Sequence, residues 1–234
     1  MQLREECSEC GLREMCLPAG LTREELARLE ELVSSHRKFP LGSSLYEMHD
    51  PFKFIYAVWT GFFKSSLTLE DGRDQVTGFH MPGDFVGLDG IEIERHTCNA
   101  VALEDSQVCV IPFASLADIV RAVPAMQREF HRLLSREIVR NQNVMLMLGN
   151  MTAEQRLASF LLDLSRRYAA RGYSRSELHL RMKRSEIGSF LGMKIETVSR
   201  TFSMFQSEGL IHVSQRNVRI LDAAGLTALI AQDE

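Results

Sequence analysis

Three cysteines, Cys7, Cys10 and Cys16, crowd into ten residues near the start of the chain, and two more, Cys98 and Cys109, lie far downstream. Thiolates in such numbers bind soft metal centres. Four can hold a [4Fe–4S] cluster, and four also suit a tetrahedral zinc site, so residue type alone leaves both open. The spacing Cys-x2-Cys-x5-Cys differs from the Cys-x2-Cys-x2-Cys-x3-Cys-Pro run of ferredoxins, which disfavours a simple electron carrier. Met1–Glu6 is charged from the outset and has no apolar core, unlike a secretory leader. The chain therefore reads as cytoplasmic, where structural disulfides are rare. Cys98 reads as a small buried hydrophobe. With His96 it makes a His-x-Cys pair, a weak signal for haem.

A second chemistry lies near the other end. Arg184-Ser-Glu-Ile-Gly-Ser-Phe-Leu-Gly192-Met-Lys-Ile-Glu196-Thr-Val-Ser199-Arg200 has the form of a helix-turn-helix. Gly188 permits close helix approach, and Gly192 suits a turn that a Cβ would resist. Ser185 is the expected cap of the first helix. Ile187, Leu191, Met193 and Val198 are the expected shared core. The second helix is expected to begin near Ile195, with Glu196, Ser199 and Arg200 facing outward at the end that enters a major groove. Arg gives paired hydrogen bonds to guanine, Glu accepts from cytosine, and Lys194 suits a phosphate. A surface Glu–Arg pair four residues apart would look the same in isolation.

Charge supports the nucleic-acid reading. Residues 165–219 hold eleven Lys/Arg against four Glu, a net of +7, which leaves −11 on the remainder of a chain whose total is −4. A basic quarter on an acidic body suits an anionic polymer.

These residues need elements to position them. Pro124–Asn150 reads as one long helix in which Leu134, Ile138, Asn141, Met145 and Leu148 recur at four, three, four and three. That is a coiled-coil seam with a polar residue, Asn141, of the kind that fixes register, and it predicts a homodimer interface. Upstream, Thr22 should cap a short helix over Arg23–Ser34. From Phe39 to Pro112 short strands and turns predict a small antiparallel barrel or roll. Its parts are a buried strand Phe54–Trp59, a turn at Thr60-Gly61, a hairpin tip at Glu70-Asp71-Gly72, a turn at Pro82-Gly83-Asp84 and a strand run Val101–Pro112. A helix over Leu116–Val123 follows. Thr152-Ala-Glu-Gln155 is a capping box opening a helix to Tyr168, ended by Gly172. A short strand Leu178–Met182 and a hairpin of Leu210–Val213 with Val218–Leu221 complete a winged reader. The fold class is thus α+β. Its expected domains are 1–20 as the cysteine segment, 21–123 as the roll, 124–150 as the dimerisation helix and 151–234 as the winged helix-turn-helix. Composition is 45% hydrophobic, with no uncharged apolar run near the roughly 18 residues of a membrane span.

At these residues the sequence resembles the FNR branch of the CRP/FNR family of bacterial transcription regulators. The likeness runs through Gly78-Phe-His-Met-Pro-Gly-Asp84, Cys109-Val-Ile-Pro-Phe113, Arg156-Leu-Ala-Ser-Phe160, Leu164-Ser-Arg-Arg167 and Glu196-Thr-Val-Ser-Arg200. It implies a non-enzymatic, oxygen-responsive regulator and activator of transcription. In it Cys7, Cys10, Cys16 and, as the distal fourth ligand, Cys109 would hold a [4Fe–4S] cluster. It also implies that Glu196, Ser199 and Arg200 read TTGAT half-sites in an inverted repeat, with Ile195 in place of the Arg of the cyclic-AMP-responsive branch. The tip at residues 70–74 would meet RNA polymerase, a plain solvated turn being the other reading. No Arg-Ser pair follows the Pro82–Asp84 turn, so cyclic AMP is not expected. The sequence departs from the family pattern at Asn141, where relatives commonly carry an acidic residue. The rival readings are a regulator of the same fold sensing haem-bound gas, zinc or thiol oxidation, and an iron–sulfur redox carrier.

Overall fold

The computed structural model describes residues 7, 9–12, 15–16, 21–32, 35–68, 72 and 74–231. Most of the expected segment 1–20, residues 33–34 at the end of the expected first helix, and residues 70, 71 and 73 of the expected hairpin tip lie outside the described residues. The chain divides into two compact units, residues 1–138 and 139–234.

In the first unit two four-stranded antiparallel sheets face each other. One runs β1 (Ser35–Phe39), β8 (Ser106–Pro112), β3 (Phe54–Thr60), β6 (Phe85–Val86). The other runs β2 (Ser44–Tyr46), β7 (Asn99–Ala102), β4 (Phe63–Thr68), β5 (Asp74–His80). Side chains alternate between the two faces of a strand, and β3 and β8 use both. Tyr56, Val58, Val108 and Val110 enter the core between the sheets with Phe63 and Ala100. Ile55, Ala57 and Ile111 enter a second core on the outer face, with Leu29 of α1 (Arg23–Leu32), Leu116 of α2 (Phe113–Ala122), and Met126 and Leu133 of α3 (Pro124–Asn150). Burial on both sides explains why Phe54–Trp59 reads as a continuous apolar run.

Thr22 caps α1 as expected: its N–H donates to the Glu25 carboxylate and Glu25 N–H donates to its hydroxyl. Gly61 and Gly83 hold left-handed turns at the two expected places. The Val101–Pro112 run, however, is not one strand. It divides into β7 and β8, which lie in different sheets, and the break at Leu103–Asp105 contains no glycine or proline to mark it. β1, Ser-His-Arg-Lys-Phe, is polar enough to hide its strand character and is placed by pairing with β8, His36 opposite Cys109.

In the second unit α4 (Ala153–Ala170) opens on the expected capping box at Thr152 and packs against α6 (Ile195–Ser207) and α7 (Ala223–Ile230). β9 (Glu177–His179), β10 (Ile211–Ser214) and β11 (Asn217–Ile220) form the wing sheet, in the order β10-β11-β9. β9 begins one residue earlier and ends three earlier than expected, although the Leu180 N–H still donates to Arg216 O. Helix α7 was not expected; Asp222 caps it by accepting from Gly225 N–H. Among the described residues no helix is long and apolar enough to cross a membrane.

Candidate functional site

The helix-turn-helix is α5 (Arg184–Leu191) followed by α6. Its two glycines do steric work. A Cβ on Gly188 would stand 2.6 Å from the Met193 carbonyl oxygen, and Gly192 closes α5 at φ +62. Ile187, Leu191 and Val198 are fully buried between the helices, while Met193 is half-buried. Ser185 is not the cap. The cap lies two residues earlier, at Lys183, whose N–H donates to the Glu186 carboxylate at 2.7 Å. Glu186, three residues past the cap position, thus satisfies the backbone N–H of the cap residue itself, the reciprocal half of a capping box.

Helix α6 begins at Ile195 with no side-chain cap on Lys194, so its first N–H groups and the Lys194 ammonium suit an anion. Glu196, Ser199 and Arg200 are all exposed in its first two turns. Arg184 lies over the Phe202 ring, its guanidinium carbon 3.2 Å from the centroid, and burial lowers its pKa to about 10.

One side chain that ties the helix ends together was not foreseen from the sequence. Arg156 donates to Leu148 O, Met151 O and Leu191 O at 2.8, 2.9 and 3.0 Å. A single guanidinium thus bridges carbonyls at the ends of α3 and α5, where helix dipoles favour a cation. Its motif was visible in the sequence, but nothing in it indicated three acceptors.

On α3, Met126 and Leu133 serve the core of the first unit and Met147 is buried in the second. The seam residues lie on another face. Ile138 is 58% and Met145 70% exposed, Asn141 is exposed, and Leu134 and Leu148 are half-buried.

Cys109 lies on β8 between β1 and β3, opposite His36 and Ala57. Alternation puts it on the outer face, where it packs on the same core as Cys16, Leu29, Met126 and Leu133. Burial pushes its thiol up to about 12, and Cys7 and Cys10 oppose its ionisation further. Cys7 is raised to about 11 by burial, then by Glu30 and Cys10. Cys7, Cys10 and Cys109 are therefore neighbours, and Cys16 joins Cys109 on one core. Four thiols of this kind are a chemically fitting donor set for an iron–sulfur centre. No three His, Cys, Asp or Glu among the described residues are gathered into a finished metal site. Cys98 is elsewhere: it is buried near Tyr46 Oη, 3.8 Å from its sulfur, and burial raises its thiol to about 12. His96, 2% exposed, stacks on Tyr46 with centroids 3.5 Å apart.

Fold and site together define a winged helix-turn-helix DNA-binding regulator with a roll-type sensor domain. A Crp-like helix-turn-helix domain model matches residues 155–229, and a cyclic nucleotide-binding domain model matches residues 36–122. The chain is 48% identical to the transcriptional regulatory protein btr of Bordetella pertussis, over 97% of this chain and 94% of that one. It is 43% identical to the transcriptional activator protein anr of Pseudomonas aeruginosa, over 95% and 91%. It is also similar to the fumarate and nitrate reduction regulatory protein of Salmonella typhimurium, at 39% over 95% and 89%. The solved structure of FixK2 from Bradyrhizobium japonicum matches with a TM-score of 0.79 at 29% identity, covering 86% of this chain and 98% of that one. The chain belongs to the FNR branch of the CRP/FNR family of transcription regulators, and it is not an enzyme.

Proposed function

We propose that this regulator responds to oxygen through a [4Fe–4S] cluster held by Cys7, Cys10, Cys16 and Cys109. The cluster state controls pairing of two chains along α3 and so binding to a TTGAT-type inverted repeat. The single observation that carries the reading is the shared core. Cys16 and Cys109 pack on the side chains that seat the first turns of α3, Met126 and Leu133. When bound, the cluster supplies an oxygen-reactive centre that ties four thiolates together. With the thiols tied, the N-terminal segment is fastened to the outer face of β8, and the packing around Met126 and Leu133 is constrained. With them released, that constraint on α3 is lost. Leu134, Ile138, Asn141, Met145 and Leu148 form the pairing face, whose exposed Ile138 and Met145 favour a partner.

In the dimer, two copies of α6 read two half-sites related by the same twofold axis. Glu196, Ser199 and Arg200 contact bases, and Lys194 contacts phosphate. Residues 70–74 would meet RNA polymerase, which would make the protein an activator. The segments 1–20, 21–123, 124–150 and 151–234 act as cluster holder, roll, pairing helix and reader.

Anaerobic purification with iron and sulfide assay, followed by binding to a TTGAT inverted repeat, tests the reading. About four irons and four sulfides per chain are expected. Arg200→Ala should cost about 1–3 kcal/mol on the specific site and relax preference at one base pair, while Lys194→Ala weakens all sequences alike. One zinc per chain without sulfide, or an unchanged ratio of specific to nonspecific binding in Arg200→Ala, contradicts it.

A further inference from the structure

Strand β8, which carries Cys109, lies inside its sheet with β1 on one side and β3 on the other. Its backbone N–H groups are committed to those two ladders, so within the sheet a donor for the Cys109 sulfur has to be a side chain. The two residues directly opposite Cys109 are His36 on β1 and Ala57 on β3. Directly opposed side chains stand on one face of a sheet, with Cβ atoms about 4.5–5.5 Å apart. Ala57 has no polar side-chain atom, so in this row of three the donor is His36.

The imidazole is also held in place. β1 and β3 lie two strand spacings apart, roughly 9.5 Å. The His36 ring nevertheless stacks on Trp59, with centroids 4.7 Å apart and planes at 27°. The two side chains therefore lean towards each other across β8, on the face that Cys109 occupies. Trp59 sits where the register of β3 slips between Val58 and Thr60, and such bulges re-aim side chains. Both residues are half-buried. Arg37, next along β1, serves the opposite face: it is opposed to Val108 of the core between the sheets, and its guanidinium carbon lies 5.8 Å from the Phe54 ring centroid. Stacking engages the face of the imidazole, whereas its N–H lies in the ring plane, and either neutral tautomer keeps one.

Hydrogen bonds to the sulfurs of an iron–sulfur centre help to set its reduction potential. Groups that hold the ligands also hold the metal, and losing one typically costs about 10–100-fold in metal affinity. We propose, building on the cluster reading above, that His36 is a positioning residue of the thiolate site. Held against Trp59, it donates its ring N–H to Cys109 Sγ when that thiolate is a ligand, and so tunes the potential of the centre and its retention of iron.

The test uses full-length protein purified anaerobically, with iron and sulfide counted in every sample. The potential is read by dye-mediated titration, and iron release to a ferrous chelator is followed without oxygen. His36→Phe keeps a ring for Trp59 and removes the donor. It should assemble the cluster, titrate at a lower potential because the added electron is no longer favoured by a hydrogen bond, and release iron about tenfold faster or more. His36→Gln keeps an N–H and loses the ring, and should lie closer to wild type than to His36→Phe in both readings. Wild-type potential and release rate in His36→Phe overturn the role of His36, and so does a His36→Gln protein altered as much as His36→Phe, which would leave ring packing alone. If His36→Phe does not fold, Trp59→Ala decides. It releases the imidazole from its stack and should shift both readings in the same direction, and no shift overturns the role. Wild type without iron and sulfide defeats the cluster reading and this role together, whereas a cluster-loaded His36→Phe that behaves as wild type defeats this role alone.

Discussion

The thiol of Cys109 lies on β8 and that of Cys98 at the approach to β7, in different sheets and in different surroundings. Cys109 senses Cys7 and Cys10, whereas Cys98 senses Asp89 and Tyr46. Cys109→Ser should therefore abolish cluster assembly, while Cys98→Ser should retain it. Visible absorption and iron content of the two anaerobically purified proteins check this, and an intact [4Fe–4S] spectrum in Cys109→Ser would remove Cys109 from the set. Asp89 permits a prediction of pH dependence. Burial, the largest influence, raises its pKa, but the hydrogen bonds from His96 and Thr97, the charge of His96 and the Tyr46 hydroxyl together hold it below its usual value. A depressed folded pKa gives stability that is full above the unfolded value of about 3.9 and is lost as pH falls through the folded one. The melting-temperature gap between wild type and Asp89→Asn should thus be largest above about pH 5 and shrink below about pH 4. A gap that widens in acid would reverse this sign.

At the scale of elements, α3 carries the account. In the proposed dimer, Asn141 at a seam position would place two neutral amides near the twofold axis, where they can hydrogen-bond to each other. Asn141→Asp would place two carboxylates there instead. At about 4 Å and an effective dielectric near 20 they repel by about 4 kcal/mol, roughly a thousandfold in dimerisation. Wild type without cluster should accordingly keep part of its dimer, and Asn141→Asp should be monomeric without cluster and dimeric with it. Sedimentation at tens of micromolar decides, and identical behaviour of the two proteins would clear residue 141 of any role in the switch. Arg156 is a second lever. Hydrogen bonds from a charged group are worth about 1.5–3 kcal/mol each, but the three compete for one guanidinium, so Arg156→Ala should cost about 3 kcal/mol in denaturant unfolding of the second unit. Arg156→Lys, with a point charge and no fork, should recover less than half; full recovery would show that charge alone matters. Helix α3 was legible in the sequence to the residue because proline opens it and a 3.5-residue period runs along it. Strand β1 and the break at Leu103–Asp105 were not. A polar strand is placed by its partner, and a turn without glycine or proline carries no local mark.

At the scale of the whole chain, legibility followed the length over which chemistry is written. The helix-turn-helix is contiguous, and its glycines, core and outward face could be placed from spacing alone; only the cap, Lys183 rather than Ser185, was misassigned. The thiol group is split across about a hundred residues, so spacing could not choose between Cys98 and Cys109. The resemblance named Cys109, and the outer face of β8 supplies the physical context. The contacts that hold the Asp89 carboxylate were invisible, because the Tyr46 hydroxyl and the Thr97 and Cys98 N–H groups reach it only once the chain is folded. In the proposed function, one oxygen-sensitive thiolate-bound centre governs both pairing along α3 and DNA reading by α6. The direct test is one anisotropy titration of a TTGAT inverted-repeat duplex with anaerobic protein, repeated on the same sample after exposure to air, with iron content followed alongside. Specific affinity should fall at least tenfold in step with loss of the cluster spectrum, while nonspecific binding changes little. Equal specific affinity before and after the cluster is lost would contradict it.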